Sequence, residues 1–183
     1  SANQTSFTLM LDETLDTTDF LNQLNRNFPP DVRALSLAYV EDGFNALQPE
    51  KVKEYLYLFA SGEKPHPFSA PFVKCFVNPL DIDIMKVGAK LFEGEHDFFN
   101  YVTQPSPDTQ TIRTIAHCSI EPNTYYTASF FPENSYALRI KAQGFMRNQV
   151  RLIMGQLFQL GLGNIDLAFI QTSLNQRFSA QLQ

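Results

Sequence analysis

The stretch "YALRIKAQGFMRNQVRLIMGQLFQLGLG" (Tyr136–Gly163) predicts a β-strand that passes directly into a long helix. Its first part, Tyr136–Gln143, is predicted as a strand, and Ala142–Gly163 is predicted as a helix. Gly161 and Gly163 end the run as a C-terminal stop signal. Apolar residues recur in the helix at spacings of four, three, four and three, which places one face toward a core: Met146, Val150, Ile153, Leu157 and Leu160.

Two arginines stand within this apolar run. Arg147 and Arg151 are one helical turn apart, and with Gly155 they form a stripe beside the apolar face. One interpretation is an exposed rim of a buried helix, with the arginine stems lying over apolar neighbours. The other is a binding surface, because a glycine at the end of a basic stripe lets another molecule approach the backbone closely.

The rest of the chain predicts an α+β fold, with a mainly antiparallel sheet and helices packed against it. Further helices are predicted over about Asp19–Asn27, over Asp81–Phe92 and in Asn164–Gln176. Further strands are predicted for five segments: Ser6–Leu11, Val32–Val40, Val52–Phe59, Thr111–Ile120 and Tyr125–Phe131.

Composition favours a soluble globular protein and excludes several other classes. The chain has 183 residues, of which 44% are hydrophobic and 18% charged, so it is long enough for a sizeable core. No apolar run reaches the ~18 residues of a membrane span, and the first residues lack the basic region of a signal peptide. Cys75 and Cys118 are isolated, which favours a reducing cytoplasm over a disulfide scaffold.

The net charge of −5 argues mildly against a nucleic-acid partner, but the charge is unevenly distributed. Residues 134–183 carry five basic residues and one acidic residue, Asp166. The positive charge therefore surrounds the predicted helix with its two arginines.

No catalytic or metal-binding set is evident from spacing. The three histidines are 21 or more residues apart, too far for the usual zinc motifs. His117 and Cys118 are adjacent on a predicted strand, so they point to opposite faces and cannot act as a pair. The group Glu95–Asp97 follows a helix stop and is predicted as a hydrogen-bonding cluster at a helix end. Neither a metal nor a cofactor is expected.

Three features could serve RNA binding. Period two places Lys53, Tyr55 and Tyr57 on one face of a strand, where an aromatic ring could stack on an unpaired base. The arginine stripe is the second feature, and Arg113 at the start of a strand is the third. The alternative for the two tyrosines is packing within the core on the buried face of the sheet.

Five segments resemble, in the same order, the bacterial tRNA pseudouridine synthase A family. They span residues 21–163: "LNQLNRNFPPDVRALSLAYVEDGFNA", "VKEYLYL", "LFEGEHDFFNY", "TIRTI" and "GFMRNQVRLIMGQLFQLGLG". Each segment is a weak signal alone, and the five together are specific.

The resemblance implies a cofactor-free isomerase that flips a uridine out of tRNA, breaks its glycosidic bond and rejoins the base through carbon. Tyr55 would stack on the target base and lie near the proton that this base exchanges. Arg151 would pair with the catalytic aspartate, lowering its pKa and holding it in position. Lys53, Arg113 and Arg147 would contact RNA. The resemblance also implies a cytoplasmic homodimer that acts on the anticodon arm of tRNA.

The resemblance also predicts how the chain is divided. Residues 1–46 are expected to be a remnant of the family's N-terminal half, and residues 47–183 the C-terminal synthase domain without its last strand. The loop with the catalytic aspartate would lie just before Ser1, so these residues alone are expected to be inactive. Leu47 stands where the family has an arginine, which leaves a divergent paralogue open. Two further alternatives are a non-catalytic RNA-binding module and a small-ligand or protein-interaction domain.

Overall fold

A computed structural model describes residues 4–11, 15–46, 52–106, 108–179 and 182. The chain divides into two compact units, Ser1–Lys51 and Val52–Gln183.

Among the described residues of the first unit there is one helix, α1, at Thr17–Asn27. Its N-cap is Asp16, whose side chain accepts a hydrogen bond from the backbone N–H of Asp19 at 2.8 Å. The helix predicted from about Asp19 is confirmed and begins two residues earlier.

The strands predicted at Ser6–Leu11 and Val32–Val40 are wrong, since neither segment forms a ladder with another described segment. The second is instead fixed by side chains. The Asn25 amide exchanges hydrogen bonds of 3.0 and 2.8 Å with the backbone of Ala34, and the Tyr39 hydroxyl bonds the backbone of Leu15. Alternation marks a segment as suited to a sheet, but a strand also requires a backbone partner.

The second unit is built on a mixed five-stranded sheet with the order β2-β1-β5-β4-β3. Three pairings are antiparallel, and the short β2 runs parallel to the end of β1. The strands are β1 (Lys53–Ser61), β2 (Lys74–Phe76), β3 (Gly94–Asp97), β4 (Ile112–Pro122) and β5 (Ser135–Ala142). Strands β1, β4 and β5 confirm predicted strands, whereas β2 and β3 are too short to show a period.

Three helices and two 3₁₀ turns complete the unit: α2 (Ile82–Lys90), α3 (Gln149–Gly161), α4 (Leu167–Asn175), Pro67–Ser69 and Phe99–Tyr101. The predicted α+β class is therefore confirmed. Asp81 caps α2, accepting from the backbone N–H groups of Asp83 and Ile84 at 3.1 Å. No helix in the described part of the chain is long and apolar enough to cross a bilayer.

The core lies between the sheet and the helices and is rich in aromatic residues. Its fully buried members include Phe59, Met85, Phe92, Ile140, Met154 and Leu157. Helix α2 packs closely on α3, since a Cβ added at Gly88 would lie 2.4 Å from Leu160 Cδ2.

Two further predictions about unit two need correction. The predicted strand Tyr125–Phe131 is absent, since these residues form turns and irregular backbone in the connection between β4 and β5. The Asn123 N–H donates to the Ser135 carbonyl at 2.8 Å, where this connection begins and ends. The helix predicted from Ala142 begins only at Gln149. Strand β5 continues through Ala142, and Asn148 has a left-handed backbone (φ 60°), which interrupts helical geometry.

Candidate active site

The tyrosines of β1 lie on the face of the sheet that packs against α3. Burial increases along this face, from Tyr55, which is 48% exposed, through the half-buried Tyr57 to the fully buried Phe59. The rings of Tyr57 and Phe59 both meet Phe158 of α3 edge-on, with centroids 6.1 and 5.4 Å apart. Packing in the core therefore explains the position of the Tyr57 ring, whereas about half of the surface of Tyr55 is exposed to solvent.

Arg151 is the single exposed residue of α3, every residue of which is described. Its positive charge acts on the nearby Tyr57 hydroxyl: burial raises the pKa of Tyr57, and the guanidinium opposes that rise. No carboxylate of the described residues forms an ion pair with Arg151.

Arg147 is exposed in the turn before α3, so the predicted helical stripe of Arg147, Arg151 and Gly155 is wrong. The Arg147 carbonyl accepts a hydrogen bond from the Thr103 N–H at 3.3 Å. The exposed side chain of Arg147 therefore extends from a turn whose backbone is hydrogen-bonded to the loop that contains Thr103.

Lys53 and Arg113 lie at the same end of the sheet as this turn. Lys53 opens β1 and pairs in register with Ala142, the last residue of β5, which in turn pairs with Ile115 of β4. Arg113 lies two residues before Ile115 on β4. The connection from β5 to α3 leaves from this end, so the topology places Lys53, Arg113 and Arg147 at the end of the sheet where β1 begins. Leu47 lies outside the described residues.

Ion pairs separate the basic residues into two groups. Among the five bases in residues 134–183, Arg139 and Lys141 both pair with Glu54, and Arg177 pairs with Asp97 at 2.8 Å. The hydrogen bond from Arg139 holds the pKa of Glu54 below its usual value. Six bases of the second unit have no carboxylate partner among the described residues: Lys53, Lys64, Lys74, Arg113, Arg147 and Arg151.

The other polar candidates have structural partners. Cys118 is fully buried, with its pKa raised by burial to about 12, while the half-buried His117 bonds Ser119 at 2.9 Å on the opposite face. This confirms that the two do not form a Cys–His pair. The segment Glu95–Asp97 forms β3 and not a helix end, which corrects that prediction. No group of three or more metal-ligating side chains occurs within the described ranges.

Sequence reasoning missed one aromatic contact of this site. Phe145, in the connection between β5 and α3, meets Tyr55 edge-on, with centroids 5.1 Å apart and an interplanar angle of 85°. Only the clustering of "GFMR" after a strand hinted at a role, because the partner of a ring cannot be deduced from its position in a loop.

Comparisons with known proteins match this chain to one family. A family model described as tRNA pseudouridine synthase matches residues 89–182. The tRNA pseudouridine synthase A of Shouchella clausii is 30% identical over 144 residues, which are 79% of this chain and 52% of the relative. That of Thermoanaerobacter sp. (strain X514) is 34% identical over 142 residues, covering 78% and 54%. That of Bacillus sp. (strain KSM-64) is 29% identical over 171 residues, covering 93% and 66%.

The first two of these relatives are each matched over about half of their length. The family match covers β3, β4, β5, α3 and α4, and it includes Arg113, Arg147 and Arg151. The chain belongs to the tRNA pseudouridine synthase family.

Proposed function

We propose that this chain is part of an enzyme that isomerises uridine to pseudouridine in tRNA, and that it contributes Tyr55 and Arg151 to the active site. In this reaction the C1′–N1 bond breaks and a C1′–C5 bond forms. The proton on C5 leaves, and N1 gains one. The atoms balance within the nucleoside, so the rearrangement needs no oxidant or reductant.

The observation that carries the proposal is the unpaired guanidinium of Arg151 on an otherwise buried helix. Three other bases of the same region are neutralised by Glu54 or Asp97, whereas Arg151 has no carboxylate partner in the described part of the chain. A planar guanidinium binds a carboxylate through two parallel hydrogen bonds. We assign it to the catalytic aspartate, which it would keep ionised and in position, and which we place outside these 183 residues.

Tyr55 is the second contribution. Its ring is half exposed at the open end of β1, while the rings that follow it on the same face are packed. An extruded base can stack on such a ring, because a flipped nucleotide gains stacking in place of its lost neighbours.

Lys53, Arg113 and Arg147 are proposed to contact the RNA backbone. Their charges are not neutralised by carboxylates of the described residues, which leaves them free to bind phosphate. The names of the relatives support tRNA as the substrate. The anticodon arm as target, the homodimer and the cytoplasmic location are proposed on the strength of the sequence resemblance, and both cysteines are free, as in a reducing compartment.

The test compares Tyr55→Phe with Tyr126→Phe in the gene product that contains this chain. Tyr126 is an exposed tyrosine between β4 and β5 and serves as a matched control. Tyr55→Phe keeps the stacking ring and loses only the hydroxyl, which we place near the proton that the base exchanges. Tritium release from tRNA carrying 5-tritiated uridine should therefore fall strongly in Tyr55→Phe, with tRNA affinity retained, and should be unchanged in the control. Wild-type turnover in Tyr55→Phe would contradict the role of Tyr55. Salt-dependent tRNA binding without tritium release by the wild type would favour a non-catalytic RNA-binding module.

A further inference from the structure

Phe145 is the aromatic neighbour of Tyr55. The two ring centroids are 5.1 Å apart and the rings are nearly perpendicular, at 85°. Such an edge-to-face pair is favourable because the positive edge of one ring meets the negative face of the other. It covers at most one face of Tyr55, and the residue is 48% exposed, which leaves surface for a stacking partner.

The connection that carries Phe145 is fixed at both ends. Strand β5 ends at Ala142, three residues before it. On the other side, the Asn148 side-chain amide donates to Thr103 Oγ1 at 3.0 Å, and the Thr103 N–H donates to the Arg147 carbonyl at 3.3 Å. Asn148 has a left-handed backbone at the start of α3. Its side chain does not cap the helix and bonds Thr103 instead.

A third contact closes the same turn. The Gln149 side-chain carbonyl, itself buried, accepts a hydrogen bond from the Met146 N–H at 2.9 Å. Phe145 is therefore half-buried on a held backbone, and its ring is a fixed surface for its neighbour.

Tyr55 has no comparable restraint of its own. Within the described residues, its hydroxyl makes no hydrogen bond, and its single aromatic contact is Phe145. The side chain is also half exposed, so without that ring it would be free to leave the orientation seen here.

We propose that Phe145 is a positioning residue, which sets the orientation in which Tyr55 presents its free face to the target base. This inference rests on the proposed function, because Tyr55 must contact the substrate for its orientation to affect turnover. Phe145 acts through Tyr55 and is assigned no contact with the base.

The structural half of the proposal is tested by NMR on the 183-residue chain. The ring signals of Tyr55 are identified by their loss in Tyr55→Phe. Phe145→Leu should shift the Tyr55 signals more than those of any other tyrosine. Phe169→Leu, which removes a ring that contacts Phe178 on another part of the unit, should leave them in place. Tyr55 signals that are unchanged in Phe145→Leu would overturn the proposal.

The functional half uses steady-state kinetics of the gene product that contains this chain. Phe145→Leu should lower kcat about two- to tenfold, the rate ratio that corresponds to the interaction energy of one aromatic pair, with KM within about twofold of wild type. Phe145→Tyr keeps a ring and should restore kcat. In a Tyr55→Ala background, Phe145→Leu should have no further effect, because the two changes remove the same contact.

Two failures are distinguishable. If Tyr55→Phe is impaired but Phe145→Leu turns over like wild type, the positioning role is overturned and the proposed function stands. If Tyr55→Phe itself turns over like wild type, the proposed role of Tyr55 fails, and with it this inference.

Discussion

The buried side chain of Asn100 makes three hydrogen bonds, from which a loss of stability on substitution can be predicted. It is 5% exposed and lies in the 3₁₀ turn after β3, within the segment "EHDFFN". Its side-chain amide donates to the carbonyls of Ser173 and Gln176, both at 2.6 Å, and its oxygen accepts from the Phe178 N–H at 2.8 Å. One buried side chain thus holds the end of α4 and the backbone that follows it.

The change Asn100→Ala removes all three hydrogen bonds and leaves three backbone groups without them. A hydrogen bond contributes about 1 kcal/mol net, so the expected loss is about 3 kcal/mol of unfolding free energy. Asn175→Ala is the matched control. Asn175 is exposed and its amide makes one bond, to the Gln171 carbonyl at 2.8 Å, so we expect a loss below about 0.5 kcal/mol.

Urea unfolding of the 183-residue chain, followed by circular dichroism, measures both values, and equal slopes in the variants would show that the denatured states are comparable. The result decides what the segment "EHDFFN" does. A loss for Asn100→Ala no larger than that for Asn175→Ala would refute the reasoning that this segment is a structural clamp.

Three further predictions concern the same chain. Burial raises the pKa of Asp97, but hydrogen bonds from Thr111, Arg177 and the Phe99 N–H leave it below its usual value. The stabilisation of the folded state by the ionised Asp97 should therefore be present above about pH 4 and lost as the pH falls through the lowered pKa of Asp97. In urea unfolding at decreasing pH, Asp97→Asn should lose less unfolding free energy than the wild type. Gln149 is 1% exposed, and its Nε2 has no partner among the described residues, while its side-chain carbonyl accepts from the Met146 N–H at 2.9 Å. Gln149→Met removes the unpaired group and loses that hydrogen bond, about 1 kcal/mol each and opposite in sign, so the urea unfolding free energy should change by less than about 1 kcal/mol; a larger change in either direction would contradict this. The 183-residue chain alone should release no tritium from 5-tritiated tRNA, and measurable release would place the catalytic carboxylate within it.

Much of the fold of unit two could be predicted from sequence because its patterns are local. Val52–Phe59 and Thr111–Ile120 alternate, and Asp81 precedes an amphipathic run, so each element carries its own signal. The errors arose where a partner decides the structure. Val32–Val40 alternates as a strand does, yet the backbone of its Ala34 bonds one side chain of α1, that of Asn25, and not another strand.

The start of α3 shows a second limit. Met146 fits the apolar face at helical spacing, but Asn148 adopts a left-handed backbone, and its amide bonds Thr103, 45 residues away in sequence. A periodicity count does not detect such a long-range bond. Arg147 was therefore predicted on a helix face but lies in a turn, whereas Arg151 is exposed on the helix as its position in the sequence suggested.

Charge pairing was the third feature hidden from sequence. Residues 134–183 contain five bases and a single acid, yet Glu54 and Asp97 from distant strands neutralise Arg139, Lys141 and Arg177. Local composition identified a basic region, and the fold shows which of its basic side chains have no carboxylate partner among the described residues and could therefore bind a substrate. That distinction selects Arg147 and Arg151.

The central claim is that Arg151 holds the catalytic carboxylate, and the most direct test exchanges each of these two arginines for lysine in the gene product that contains the chain. Lysine keeps the charge but loses the two-pronged geometry, so Arg151→Lys should lower the rate of pseudouridine formation in tRNA by about 10- to 100-fold. Arg147→Lys, at a proposed phosphate contact, should cause a modest loss of affinity with little change in kcat. Equal and small effects of the two substitutions would contradict the account and leave Arg151 as the solvated rim of a buried helix.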